Sequence, residues 1–283
     1  MSHSEIPCAA TALRDRLFVS GTDLFALGHY PGNPVYPGAL MLDRMLIMAA
    51  ALAGQAFGQE AWARRVKRVQ YLGVVVPGDV VELDVSIVER DGDQITCLAV
   101  AQVQGNARVQ ATIVCVPDAE PVSAPLECDV ASEAPALTHP DIARLLPHRY
   151  PFLLLDTVRS FTPREHILAT KVINRESPIL GAHPPAAYPA SLAIESFGQA
   201  GVTLFCLSQD NASPAQVLVG LMRDVTVHRT IPYDTVLTLD VRIERLRSNA
   251  VVFGGDIRIG EESVIHVGSL VVMVGPEQPS AGA

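Results

Sequence analysis

The chain has 283 residues, of which 49% are apolar and 18% charged, and it carries a formal net charge of −9. That length suits two domains of ordinary size, with ample material for buried cores. The acidic balance argues against a general nucleic-acid binder.

In chain order, the opening stretch MSHSEIPCAATALRDR lacks a basic segment followed by an apolar run, so no secretory leader is expected. A turn-rich loop follows, GHYPGNPVYPGALMLD, residues 28–43, holding His29 and, fourteen residues later, Asp43. Its end opens the apolar helix PGALMLDRMLIMAAALAGQAF. The most apolar window, Met45 to Phe57, is too short for a membrane span and carries Gly54 and Gln55. Next, ARRVKRVQ gathers Arg64, Arg65, Lys67 and Arg68 in what reads as a helix-to-strand connection. A V-P-G-D turn, Val76 to Asp79, leads into the alternating strand VVELDVSIVE, then a polar turn and two more strands.

Residues 117–137, PDAEPVSAPLECDVASEAPAL, are rich in Pro, Ala, Ser and acids and read as an extended linker. Thr138 caps a short helix, HPDIARLL, with Pro140 and Asp141 in its first turn. After LLPHRYPFLLLD, Leu145 to Asp156, the pattern of the first half returns: a loop with His183, the helix PASLAIESFGQAGVTLFCL with Glu195, an I-P-Y-D turn and further strands. His29 and His183 stand 154 residues apart and the two P-x-D turns 155 apart, which indicates duplication. The units are therefore read as 1–116 and 138–283, and the first lacks the LLPHRYPFLLLD segment.

Each helix is apolar nearly all round and must be covered on most sides, which a strongly curved antiparallel sheet achieves. Two such units can pair their sheets edge to edge and close exposed edges. The expected fold is α+β, a tandem pair. The five cysteines, Cys8, Cys97, Cys115, Cys128 and Cys206, are odd in number and unclustered, as expected of free thiols in a reducing cytoplasm. No CxxC or HExxH occurs, so no metal site is expected.

LLPHRYPFLLLD resembles the signature of the FabZ/FabA-type β-hydroxyacyl-ACP dehydratases of bacterial fatty-acid synthesis, and GHYPGNPVYPGALMLD resembles their active-site loop and helix start. The VVPGD turn matches as well, and the resemblance spans about residues 18–116 and 139–275. It implies a double hotdog, each sheet wrapped around one helix, and dehydration of (3R)-3-hydroxyacyl-ACP in fatty-acid or polyketide-type synthesis without a cofactor. It also implies that the histidine of one unit works with the acid of the other: His29 with Glu195, and His183 with Asp43. The second loop departs from the pattern. An alanine follows Gly181, Ala190 replaces the last glycine, and only twelve residues separate His183 from Glu195. The expected site at His183 is therefore the less intact of the two.

The chemistry fits these residue types. Imidazole can take a proton from C2 near neutral pH, and an apolar helix surface keeps a carboxylic acid protonated so that it can protonate the C3 hydroxyl. Free N–H groups at a helix start can hold the thioester oxygen, with Gly38 allowing close approach and Ala190 in the matching place. His148 reads as structural or linked to the substrate tunnel. The basic run Arg64–Arg68 is the expected dock for the acidic acyl carrier protein. A hotdog thioesterase and a non-catalytic carrier-binding partner are the competing readings.

Overall fold

A computed structural model describes residues 11–117, 134–181, 183–209, 217–247 and 250–274. Most of the expected linker lies outside these residues, as do Cys8 and Cys128. Among the described residues, eleven strands form one antiparallel sheet. In the first unit these are β1 (Ala12–Phe18), β2 (Ala61–Tyr71), β3 (Val80–Asp91), β4 (Gln94–Val103) and β5 (Asn106–Pro117). The second unit contributes β6 (Thr157–Thr162), β7 (His166–Ile173), β8 (Val217–Val227), β9 (Thr235–Leu246), β10 (Ala250–Ile259) and β11 (Glu262–Val274). The order is β1-β3-β4-β5-β2-β8-β11-β10-β9-β7-β6. The units join where β2 and β8 pair, Val66 opposite Val225 and Val69 opposite Met222.

Alternation builds the sheet's inner face. Val81, Leu83 and Val85 of β3 are buried, while Val80 and Glu82 face out. On that face lie α2 (Gly38–Phe57), packed against β2 to β5, and α4 (Ala190–Leu207), packed against β7 and β9 to β11. The two helices also touch each other. Gly58 ends α2 in a left-handed turn (φ 74°), its N–H donating to the Gly54 carbonyl at 2.9 Å. On α4, a Cβ at position 201 would come within 3.0 Å of the Phe253 ring, so glycine sets how closely that helix approaches β10. The edge strand β1 is charged, with Arg14 paired to Asp84 and Arg16 to Glu82, which discourages pairing with another chain.

The helices are not covered alike. α4 is buried nearly all round, whereas α2 exposes a stripe of Arg44, Ile47, Ala51 and Gln55. The segment present only in the second unit accounts for the difference. There α3 (His139–Leu145) and the loop after it pack on α4, and Gln199 bonds to the backbone of Phe152 and Leu154.

Three expectations change. α2 spans 20 residues and α4 spans 18, so both are long and apolar enough to cross a membrane by length and composition, unlike the shorter window read from sequence. Both pack as the central helices of their units. Arg64, Arg65, Lys67 and Arg68 lie within β2 itself, not in a connection before it. The P-x-D turns are also one residue out of step. The Tyr36 N–H donates to Val75 O where the Tyr188 N–H donates to Ile231 O, and the left-handed residues are Gly78 and Asp234. Structurally the sheets are therefore offset by 156 residues, which makes Val227 the counterpart of Tyr71. Cys97, Cys115 and Cys206 are buried free thiols.

Candidate active site

A short helix, α1 (Leu24–His29), brings His29 to the junction of the units. Asp23 caps it, its carboxylate accepting from the N–H groups of Phe25 and Ala26 at 3.0 and 2.9 Å. The neighbouring Gly28 packs on the second unit: its carbonyl accepts from the Arg149 N–H at 2.7 Å, and a Cβ there would lie 2.8 Å from Tyr150 O. His29 Nδ1 lies 3.0 Å from Val35 O. A carbonyl can only accept, so Nδ1 carries the hydrogen and Nε2 keeps its lone pair.

Opposite stands Glu195 of α4. Gln199, one turn on, donates to Glu195 Oε1 at 3.0 Å and to Phe152 O at 2.9 Å, and accepts from the Leu154 N–H at 2.8 Å. This ties the carboxyl to the LPHRYPF loop. In that loop the Arg149 guanidinium donates to the carbonyls of Leu146, Pro147 and His148, fixing the turn that carries His148. The His148 ring lies 5.2 Å from that of His29, and its Nε2 is 3.8 Å from Glu195 Oε1.

Burial sets the protonation states. It pushes Glu195 up to about 6, with the Gln199 hydrogen bond opposing. It pulls His29 down to about 4, with the Val35 carbonyl opposing. His148 is held well below the ordinary imidazole value by burial and then by His29 and Arg149. The site thus presents two uncharged imidazoles beside a carboxyl that keeps its proton to higher pH than an ordinary glutamate. One potential ligand atom from each of His29, His148 and Glu195 lies within 4.8 Å of the others. The 3.8 Å between His148 and Glu195 exceeds the roughly 3.4 Å between donors around a zinc ion, and this spacing better suits a hydrogen-bonded oxygen.

These groups face a cavity of about 340 Å³ lined by both units, including Met41 and Leu42 of α2, Ile194 and Val202 of α4, and Met222 of β8. Leu72, Val74 and Met273 line it and are exposed, forming an apolar rim. Tyr30 of the first unit donates its hydroxyl hydrogen to Val217 O of the second. At the start of α2, Pro37 O accepts from Leu40 and Met41, leaving the N–H groups of Gly38 and Ala39 without an acceptor among the described residues.

The other residues singled out from sequence are placed differently. Asp43 lies outside the cavity lining and accepts from Ser191 Oγ at 2.7 Å. Burial raises its carboxyl, with Ser191 and Arg44 opposing. His183 is exposed and makes no hydrogen bond or ion pair among the described residues, so nothing joins it to Asp43. Gly38 lines the cavity, and Ala190 does not. In the direction a Cβ would take, Gly38 is already covered by its own unit, since that atom would lie 2.5 Å from Tyr71 Cε1. The place of His148 between His29 and Glu195, and that of Tyr71 on Gly38, were not read from sequence. For His148, its place in a segment that only one unit possesses was the available signal.

Residues 10–110 match the ApeI-like family, described as ApeI dehydratase, and residues 140–281 match the ApeP-like family, described as ApeP dehydratase. The 3-hydroxyacyl-[acyl-carrier-protein] dehydratase FabZ of Clostridium kluyveri is 31% identical over 137 residues, 48% of this chain and 94% of that protein. The chain belongs to the β-hydroxyacyl-ACP dehydratase family. FabZ of Enterococcus faecalis is 30% identical over 141 residues, 49% of this chain and 99% of its own.

Solved structures bear on the fold of this dehydratase-family chain. The dehydratase domain of RzxB from Pseudomonas fluorescens superposes with a TM-score of 0.61 at 14% identity, covering 94% of each chain. A structure described as a thioesterase, from Novosphingobium aromaticivorans, superposes with a TM-score of 0.60 at 11% identity, covering 93% of this chain and 96% of that one. Both likenesses extend over more than nine-tenths of this chain and so concern the fold of the tandem as a whole.

Proposed function

We propose that the protein dehydrates (3R)-3-hydroxyacyl chains carried on acyl carrier protein, giving the trans-2-enoyl thioester, in fatty-acid or polyketide-type synthesis. One observation carries this reading: a neutral imidazole from one unit and a protonatable carboxyl from the other face each other across one apolar cavity. His29 Nε2 takes a proton from C2 and the C2–C3 double bond forms. The C3–O bond breaks as Glu195 gives its proton to the departing hydroxyl, which leaves as water. The thioester oxygen, gaining charge, is held by the N–H groups that open α2 at Gly38 and Ala39.

There is one working site per chain. His183 and Asp43 contribute a second histidine and acid that do not meet, and Ala190, which opens α4, does not line the cavity. The functional units are 1–116 and 138–283, joined by 117–137, in a cytoplasmic protein. The carrier docks through Arg64, Arg65, Lys67 and Arg68 on the outer face of β2. Arg65 is paired with Asp224 at 2.6 Å and Lys67 with Glu89 at 3.8 Å, which leaves, of these four, Arg64 and Arg68 without an ion pair among the described residues. Incubation with 3-hydroxyacyl-ACP tests the reading: enoyl absorbance supports it, release of free thiol indicates a thioesterase, and neither indicates a binding partner.

A further inference from the structure

His148 is the buried group for which the two-residue mechanism has no use. It is 4% exposed, and its Nδ1 has no hydrogen-bond partner. A buried imidazole with an unmet nitrogen costs stability, and an apolar side chain of similar size would avoid that cost. The surroundings nevertheless hold it firmly. Arg149 braces its carbonyl at 2.7 Å, and the same residue's N–H anchors the loop to Gly28 of the other unit. Its Nε2 is aimed at Glu195 from 3.8 Å, too far for a direct hydrogen bond but the right span for one shared oxygen between them. Because the ligand atoms of His29, His148 and Glu195 all lie within 4.8 Å of one another, a single oxygen can sit within hydrogen-bonding reach of all three.

We propose that His148 is a third catalytic residue, whose Nε2–H donates to the substrate's 3-hydroxyl oxygen alongside the proton of Glu195. This rests on the dehydratase reading for its substrate. As the C3–O bond lengthens, the oxygen gains negative charge; Glu195 transfers its proton to it, while His148 donates a hydrogen bond and keeps its own proton. Burial keeps the ring uncharged, so its Nε2–H serves as a neutral donor. The arrangement also accounts for the asymmetry of the chain. A matching group for the His183 side would have to come from the first unit, which has no LPHRYPF segment.

The test uses pantetheine thioesters that carry two fluorines at C2 and so have no C2 proton to lose, with and without the 3-hydroxyl. The wild-type protein should bind the hydroxylated ligand about tenfold tighter than its deoxy partner. His148→Gln places an amide nitrogen near the position of Nε2 and should keep most of that preference. His148→Asn places one near Nδ1 and should lose it, with affinity for the deoxy ligand unchanged as a check of folding. Turnover of the natural substrate should fall about 100-fold in His148→Asn, more in kcat than in KM. A wild-type protein with no preference for the hydroxyl, or a His148→Asn variant that keeps it, overturns the assignment. These ligands cannot be dehydrated, so binding is read apart from turnover: a hydroxyl preference in binding together with no enoyl formation from the natural 3-hydroxyacyl substrate would overturn the dehydratase reading and leave this hydroxyl-binding site standing.

Discussion

The ring of Tyr71 lies where a side chain at position 38 would have to go: a Cβ on Gly38 would stand 2.5 Å from Tyr71 Cε1. In the second unit the equivalent positions hold Ala190 and Val227, so the missing Cβ and the aromatic ring occur together in one unit and are absent together from the other. The glycine that opens α2 is thus accounted for by packing within its own unit, in addition to any approach by a substrate. Gly38→Ala should destabilise the protein by about 1–3 kcal/mol, as overpacking does. The same change in a Tyr71→Val background should cost clearly less. Melting temperatures of the four proteins in the cycle measure the coupling, and additive effects would show that the contact is slack.

The pH dependence of kcat/KM should be bell-shaped with an acidic optimum. The active form has His29 neutral and Glu195 protonated, so activity should rise as pH passes about 4 and fall about tenfold per unit above about 6. A profile flat from pH 5 to 8 would show that Glu195 does not act as the acid.

Stability should carry the same signature. The Glu195 value is raised in the folded state, from 4.5 to about 6, so its contribution is fully present below 4.5 and is lost as pH rises through 6. Between those limits the wild type should lose on the order of 2 kcal/mol that Glu195→Gln does not lose. The variant should therefore gain in melting temperature relative to wild type between pH 4.5 and 7.5. A difference independent of pH would place the carboxyl in contact with water.

Much of this was legible in the sequence, for identifiable reasons. The fold followed from two apolar helices, each before alternating strands, and the tandem arrangement from the repeated loop. The strand register was one residue off because both turns contain P-x-D, while the chain reaches its left-handed residue at Gly78 in one and Asp234 in the other. The burial of His148 could not be read, because it depends on Gln199 of α4 holding the loop and on Arg149 folding back onto the carbonyls of its own turn. Nor could the contact of Asp43 with Ser191, which needs the relative placement of two helices.

Carrier docking makes a separate prediction about charge. Arg64→Glu with Arg68→Glu should raise KM for the acyl-ACP several-fold and leave turnover of a short pantetheine thioester unchanged. Added salt should weaken the wild-type ACP reaction and affect the variant little. Equal losses on both substrates would place these arginines in support of β2.

The central claim is that one composite site, His29 from the first unit with Glu195 from the second, performs the reaction. Single-turnover formation of enoyl-ACP by four variants tests it most directly. His29→Ala and Glu195→Gln should each cut the rate by at least about 1,000-fold, the scale expected when a general acid or base is lost together with its partner's role. His183→Ala and Asp43→Asn should retain it within about threefold. Full enoyl formation by His29→Ala, or its loss in His183→Ala, would contradict the account.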